Sequence, residues 1–130
     1  MTAPSPATPL VKTVRWFDPR NRTVNGLGFI LHRITALGLT LYLFLHLGML
    51  SQLVIGEAAY DGFIKLVHNP IIMIGETLVV AAGFIHGFNG IRIALNSFGI
   101  GSRYQRVILV VILCLAVICT LLFAYKMFDL

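Results

Sequence analysis

The sequence predicts an all-α integral membrane chain of three transmembrane helices, and three observations carry that prediction. Of its 130 residues, 58% are hydrophobic and only 12% are charged, with a mean hydropathy of +0.89. Soluble domains carry about 25% charged residues, so this chain lacks the polar surface to cover a water-facing globule. The apolar residues also fall into three runs, at about 26–55, 70–97 and 104–128. Each reaches the ~20 residues that a helix needs to cross ~30 Å of hydrocarbon. Finally, eight of the ten Lys and Arg residues gather beside the ends of these runs.

Taken in order, residues 1–10 are rich in Pro, Thr and Ala without an apolar repeat and read as a mobile tail. Residues 11–25 mix basic and aromatic side chains (Arg15, Trp16, Phe17, Arg20, Arg22) and suit the membrane surface, with Trp16 at headgroup level. The chain thus divides into a cytoplasmic basic amino-terminal segment, 1–25, and a three-helix anchor domain, 26–130. The first apolar run is too long for the core of a signal peptide and has no small-residue cleavage site nearby. It is expected to remain as an anchor. The first two runs exceed the spanning length, so tilt or extension beyond the bilayer is expected.

Residues 56–69 hold Glu57, Asp61, Lys65 and His68 and read as a loop, after which Pro70 opens the second helix at its first position. The run Phe98-Gly99-Ile100-Gly101-Ser102 supplies the turn into the third helix. Within that helix Cys114 and Cys119 point about 140° apart and are not placed to form a bridge.

Charge placement sets the topology. Lys12, Arg15, Arg20, Arg22 and Arg33 lie near the start, and Arg92, Arg103 and Arg106 flank the second loop. Positive charge is retained on the cytoplasmic side, which puts the amino terminus and second loop in the cytoplasm. The first loop and the carboxyl terminus, with Lys65 and Lys126, face outward. The same placement accounts for the net charge of +5 without nucleic acid as a partner.

Ionisable groups inside a bilayer are costly, so each is a functional candidate. Four stand within the runs: His46, Glu76, His86 and Arg92. His32 and Arg33 sit near the cytoplasmic start of the first helix. Glycines 83, 87 and 90 surround His86 at helical neighbour spacing. They allow either close helix approach or a flat macrocycle against the backbone, with neutral imidazole as an axial ligand of haem iron.

Arg92 lies about 9 Å along the axis from His86, either within reach of a haem propionate or snorkelling to the headgroups. Levelling Arg33 with Arg92 puts His46 at a different depth from His86 by roughly 10 Å. One iron cannot take both. His46 is therefore a ligand of a second, outer haem or an interhelical hydrogen-bonder. Glu76, in the outer half of the second helix, is a protonated or hydrogen-bonded carboxyl, with a proton path or a quinone contact as the alternatives. One chain supplies one ligand per depth, so the second histidine of a low-spin haem is expected from another chain.

Two motifs carry a family likeness. Leu31-His32-Arg33-Ile34-Thr35 resembles the S-x-x-H-R-x-[ST]-G signature of the larger membrane-anchor subunit of succinate dehydrogenase. His86-Gly87-Phe88-Asn89-Gly90-Ile91-Arg92 is similar to that family's H-x-x-x-G-x-R motif. They stand in the expected order on the first and second helices, and the likeness covers nearly the whole chain.

The resemblance implies that His86 is an axial ligand of haem b, with the partner histidine on a smaller anchor subunit. It implies that His32 and Arg33 lie near the propionates and the quinone site, where the iron–sulfur subunit docks, and that Arg92 balances propionate charge. It further implies a flavoprotein subunit that carries out the dicarboxylate chemistry. No organelle-targeting presequence rich in Arg and Ser is evident, and a bacterial inner membrane is the expected location. Phe29 replaces the family's quinone-binding Ser, Ala36 the Gly after the Thr, and Ser97 the Asp five residues beyond the Arg. The first departure makes the chain resemble menaquinone-linked members. His46 has a counterpart in anchors that hold two haems. A haem-free scaffold and a fumarate reductase built from the same parts are the competing readings.

Overall fold

The computed structural model describes residues 8–20 and 22–128; of the tail expected over residues 1–10, residues 1–7 lie outside them. The described chain is helical, with a short helix α1 (Pro9–Arg15) followed by α2 (Val24–Leu50), α3 (Gln52–Ile55), α4 (Glu57–Val67), α5 (Pro70–Ser97) and α6 (Gln105–Met127). Thr8 precedes α1, and residues 9 and 10 open it, where Pro9 takes the first-turn position that tolerates a missing N–H.

Three segments are long and apolar enough to cross a membrane: Val24–Ile55, Pro70–Ser97 and Ser102–Met127. The first begins two residues before the apolar run because the Thr23 hydroxyl accepts the Gly26 N–H at 3.3 Å and caps the helix. It is interrupted at Ser51, whose hydroxyl donates to the Gly48 carbonyl at 2.6 Å, so α3 is its outer continuation. α5 starts at Pro70 as expected, with the Asn69 side chain accepting the Ile71 N–H at 2.9 Å.

The segment 56–69 differs from expectation. It is not an open loop, because Gly56 at φ 142° turns the chain and α4 follows at once. Phe63, Ile64 and Val67 of α4 turn back towards α2 and α5. Folding back buries apolar surface that an extended loop would leave in water.

α5 is the central helix, packed against both α2 and α6, which meet each other more sparsely. The interior inverts that of a soluble protein. Among the described residues only Ile30, Leu109 and Ala116 are buried hydrophobics, beside the buried polar Thr35, Asn89, Arg92 and Gln105. Lipid tails solvate leucine as well as a protein core does, so polar bonds and close backbone approach hold such helices together. The large apolar side chains accordingly face outward, including Leu37, Leu41, Phe44, Leu78, Val107 and Leu121.

Candidate functional site

The site is built where the amino-terminal half of α2 touches the carboxyl-terminal half of α5. The His86 ring on α5 places Nδ1 3.1 Å from the His32 carbonyl oxygen and 3.1 Å from the Thr35 hydroxyl oxygen. A carbonyl oxygen can only accept, so Nδ1 must carry the proton and donate. The lone pair then sits on Nε2, the state required of a metal-ligating imidazole with an anchored second nitrogen.

The His32 ring stacks on His86, with centroids 3.8 Å apart and planes 10° from parallel. Stacked rings cannot bind one iron from opposite sides, so this chain offers a single axial ligand at that depth. Gly90 makes the stack possible, since a Cβ there would lie 3.3 Å from His32 Cε1. The glycines near His86 thus divide in function. Gly90 accommodates His32, whereas a Cβ on Gly83 or Gly87 would meet nothing within 4 Å and their face of α5 is open.

The donor set fits an axially ligated prosthetic group. No three His, Cys, Asp or Glu side chains converge among the described residues, so a bare ion has no cage. His32 Nδ1 is buried without a hydrogen-bond partner among the described residues.

His32 and Arg33, adjacent in sequence, diverge because successive helix residues are turned by about 100°. Arg33 faces away from α5, over the Trp16 ring at 4.9 Å, with Nη1 donating to the Trp16 carbonyl at 3.5 Å. It thereby ties the amino-terminal segment to α2. Arg22 closes the intervening turn by donating to the Arg15 carbonyl at 2.6 Å and the Asp18 carbonyl at 3.2 Å.

Arg92 is buried, only 2% exposed, with its guanidinium turned into the bundle. Its Nε donates to Asn89 Oδ1 at 2.9 Å, and its Nη1 to Gln105 Oε1 at 2.8 Å and Asn25 Oδ1 at 3.1 Å. Asn89 in turn donates to the Gly28 carbonyl at 2.7 Å. Amides from all three spanning helices therefore surround one guanidinium, and no carboxylate pairs with it among the described residues.

This network also revises the helix register. Arg92 lies level with Asn25 and Gly28, nearer the start of α2 than Arg33. His86 then falls at the level of His32 and Thr35, and His46, eleven residues beyond Thr35, lies ~16 Å away along the axis. The offset between the two histidines exceeds the expected roughly 10 Å.

His46 stacks on Tyr42 at 5.5 Å and lines a cavity of about 470 Å³ with Glu76, Met49, Phe63 and Val79. Glu76 and His46 thus share one mostly apolar space. His68 is exposed, its Nδ1 3.2 Å from the Ile64 carbonyl, outside this cavity. Both cysteines are free.

Sequence reasoning missed Asn25, Asn89 and Gln105, although each is an amide beside or within an apolar run. The spacing of Asn89 three residues before Arg92 was a readable signal, since such pairs share a helix face. Thr35 was read only as part of a motif.

A model of the succinate dehydrogenase/fumarate reductase transmembrane subunit family matches residues 8–123. The chain belongs to that family. It is therefore a multi-pass membrane protein and a membrane subunit of that kind of complex. The succinate dehydrogenase 2 membrane subunit SdhC of Mycobacterium tuberculosis is 33% identical to it over 85 residues, covering 65% of this chain and 62% of that relative. The chain thus spans less than two thirds of the length of the curated relative that it matches.

Proposed function

We propose that this subunit is a haem b-carrying membrane anchor of a succinate:quinone oxidoreductase in the bacterial cytoplasmic membrane, with its amino terminus in the cytoplasm. The observation that carries the reading is the His86 ring, whose Nδ1–H is held by the His32 carbonyl and whose Nε2 is left as a donor. Bound haem b would supply one-electron storage between iron–sulfur clusters and quinone.

The chain's own residues would do the rest. His86 would hold the haem iron, and a second membrane anchor subunit would contribute the other histidine. His32, its ring stacked on that of His86, would lie near a propionate. Arg33, exposed at the cytoplasmic end, would stabilise negative charge developing on a quinone oxygen, an effect strengthened by the low local dielectric. Phe29 in place of a hydroxyl residue favours menaquinone over ubiquinone. Arg92 would act through packing, by locking α2, α5 and α6 around its guanidinium. The flavoprotein and iron–sulfur subunits would dock on the basic cytoplasmic face. The same parts would serve a quinol:fumarate reductase, since direction depends on potentials.

A second haem at His46 is favoured by one observation, the 470 Å³ apolar cavity beside its ring. The test is a reduced-minus-oxidised spectrum of the purified complex with haem counted per flavin, for wild type, His86→Ala and His46→Ala. Two haems, one lost in each variant, support both ligands. One haem, lost only in His86→Ala, leaves His46 structural. No haem in wild type sinks the cytochrome reading and leaves a three-helix scaffold.

A further inference from the structure

Among the described residues, the hydroxyl of Thr35 is the one side-chain group that bonds Nδ1 of His86. Thr35 is buried, 7% exposed, on the face of α2 that meets α5. Its single proton has two acceptors within reach, the Leu31 carbonyl at 2.9 Å and the His32 carbonyl at 3.0 Å. Both lie one turn back on its own helix, where a threonine hydroxyl ordinarily donates. With that proton directed backward, the oxygen's lone pairs face His86. The Nδ1–H is then shared between the Thr35 oxygen and the His32 carbonyl, each 3.1 Å away.

The opposite tautomer fails on proton count. With a lone pair on Nδ1, the Thr35 proton could turn to it, but the His32 carbonyl would be left facing that lone pair at 3.1 Å with no proton between them. The His32 ring closes one face of the imidazole and, having no hydrogen bond at Nδ1, contributes by contact alone. Rotation of the His86 ring about its own bond is limited on that face by packing and at its edge by the two acceptors.

We infer that Thr35 is a positioning residue for the axial ligand: beside the His32 carbonyl that sets the tautomer, its hydroxyl holds the plane of the His86 imidazole and raises the electron donation of Nε2. This rests on the reading of His86 as a haem ligand. Accepting a hydrogen bond from Nδ1–H gives the ring partial imidazolate character, which favours the ferric over the ferrous state. Removing the hydroxyl therefore raises the reduction potential of that haem. The methyl group of Thr35 has no part in this effect.

The experiment is a redox titration and low-temperature electron paramagnetic resonance of the purified complex, for wild type, Thr35→Val, Thr35→Ala and Thr35→Ser. Thr35→Val and Thr35→Ala are expected to retain haem. At a fixed ambient potential their ratio of reduced to oxidised haem should rise at least threefold, with altered g-values. Thr35→Ser should restore both to wild-type values. A Thr35→Ser shift as large as that of Thr35→Val, or an unchanged potential in both hydroxyl-free variants, overturns the inference while leaving haem binding intact. If Thr35→Val does not assemble, the comparison of Ala with Ser decides by the same criteria. A wild-type complex without haem removes the reading beneath it and the inference with it.

Discussion

Arg92 of α5 and Gln105 of α6 meet at 2.8 Å through Nη1 and Oε1, inside a cluster that also takes in Asn25 and Asn89. A buried guanidinium ordinarily recruits a carboxylate; here neutral amide oxygens surround it instead. Amides from different helices can only converge on one cation if the helices hold one register, so the contact fixes how α2, α5 and α6 align. The His32–His86 stack sits at the level this alignment dictates.

Breaking the cluster should therefore loosen the bundle before it affects any cofactor. Arg92→Met leaves three amide oxygens without a donor and is expected to cost roughly 1–3 kcal/mol. In a double-mutant cycle with Gln105→Ala the coupling should be about 0.6–1.7 kcal/mol. Denaturant unfolding of the detergent-solubilised protein measures both, and a coupling near zero would mean that the two side chains do not meet.

Gly28 is the backbone seat of the same cluster. A Cβ there would collide with the Arg92 guanidinium and come within 3.3 Å of Asn89 Oδ1. Gly28→Ala is expected to destabilise by about 1–3 kcal/mol through overpacking. Gly62, in α4 with nothing within 4 Å of its Cβ position, is the contrast. Gly62→Ala should stabilise by roughly 0.5–1 kcal/mol, as alanine does in a helix interior. Equal thermal shifts in the two variants would contradict the packing described.

The open face of α5 makes a separate prediction. Gly87→Leu adds a side chain where this chain has no neighbour within 4 Å of a Cβ. It should leave membrane insertion unchanged and lower bound haem severalfold. Pyridine haemochrome assays on membranes with matched amounts of the subunit would show this. Full haem content in Gly87→Leu would place the cofactor elsewhere.

Topology and the Arg33–Trp16 contact can be read together by proteolysis. Trypsin should cleave at Arg15, Arg20 and Arg22 in inside-out vesicles and not in right-side-out ones. Arg33→Gln removes a cation–π contact of about 0.5–1 kcal/mol and should speed that cleavage two- to fivefold. Cleavage confined to right-side-out vesicles would reverse the orientation argued from charge.

What the sequence by itself determined is the class of protein and the ends of its spans. Hydropathy is a sum over neighbouring residues, and caps such as Thr23 and Asn69 act within one turn, so both are local. The resemblance of the two histidine motifs reached the family for the same reason, as each motif lies on one stretch of helix. What only the tertiary structure decided is which way the polar residues face. Helices that are apolar all round carry no amphipathic stripe to mark the packed side, so nothing local showed that Arg92 turns inward to amides or that His32 stacks on His86. The helix in 56–69 was hidden too, because its apolar face acquires a partner only when α2 and α5 stand beside it. The depth of His46 followed from that register, which long-range contacts set.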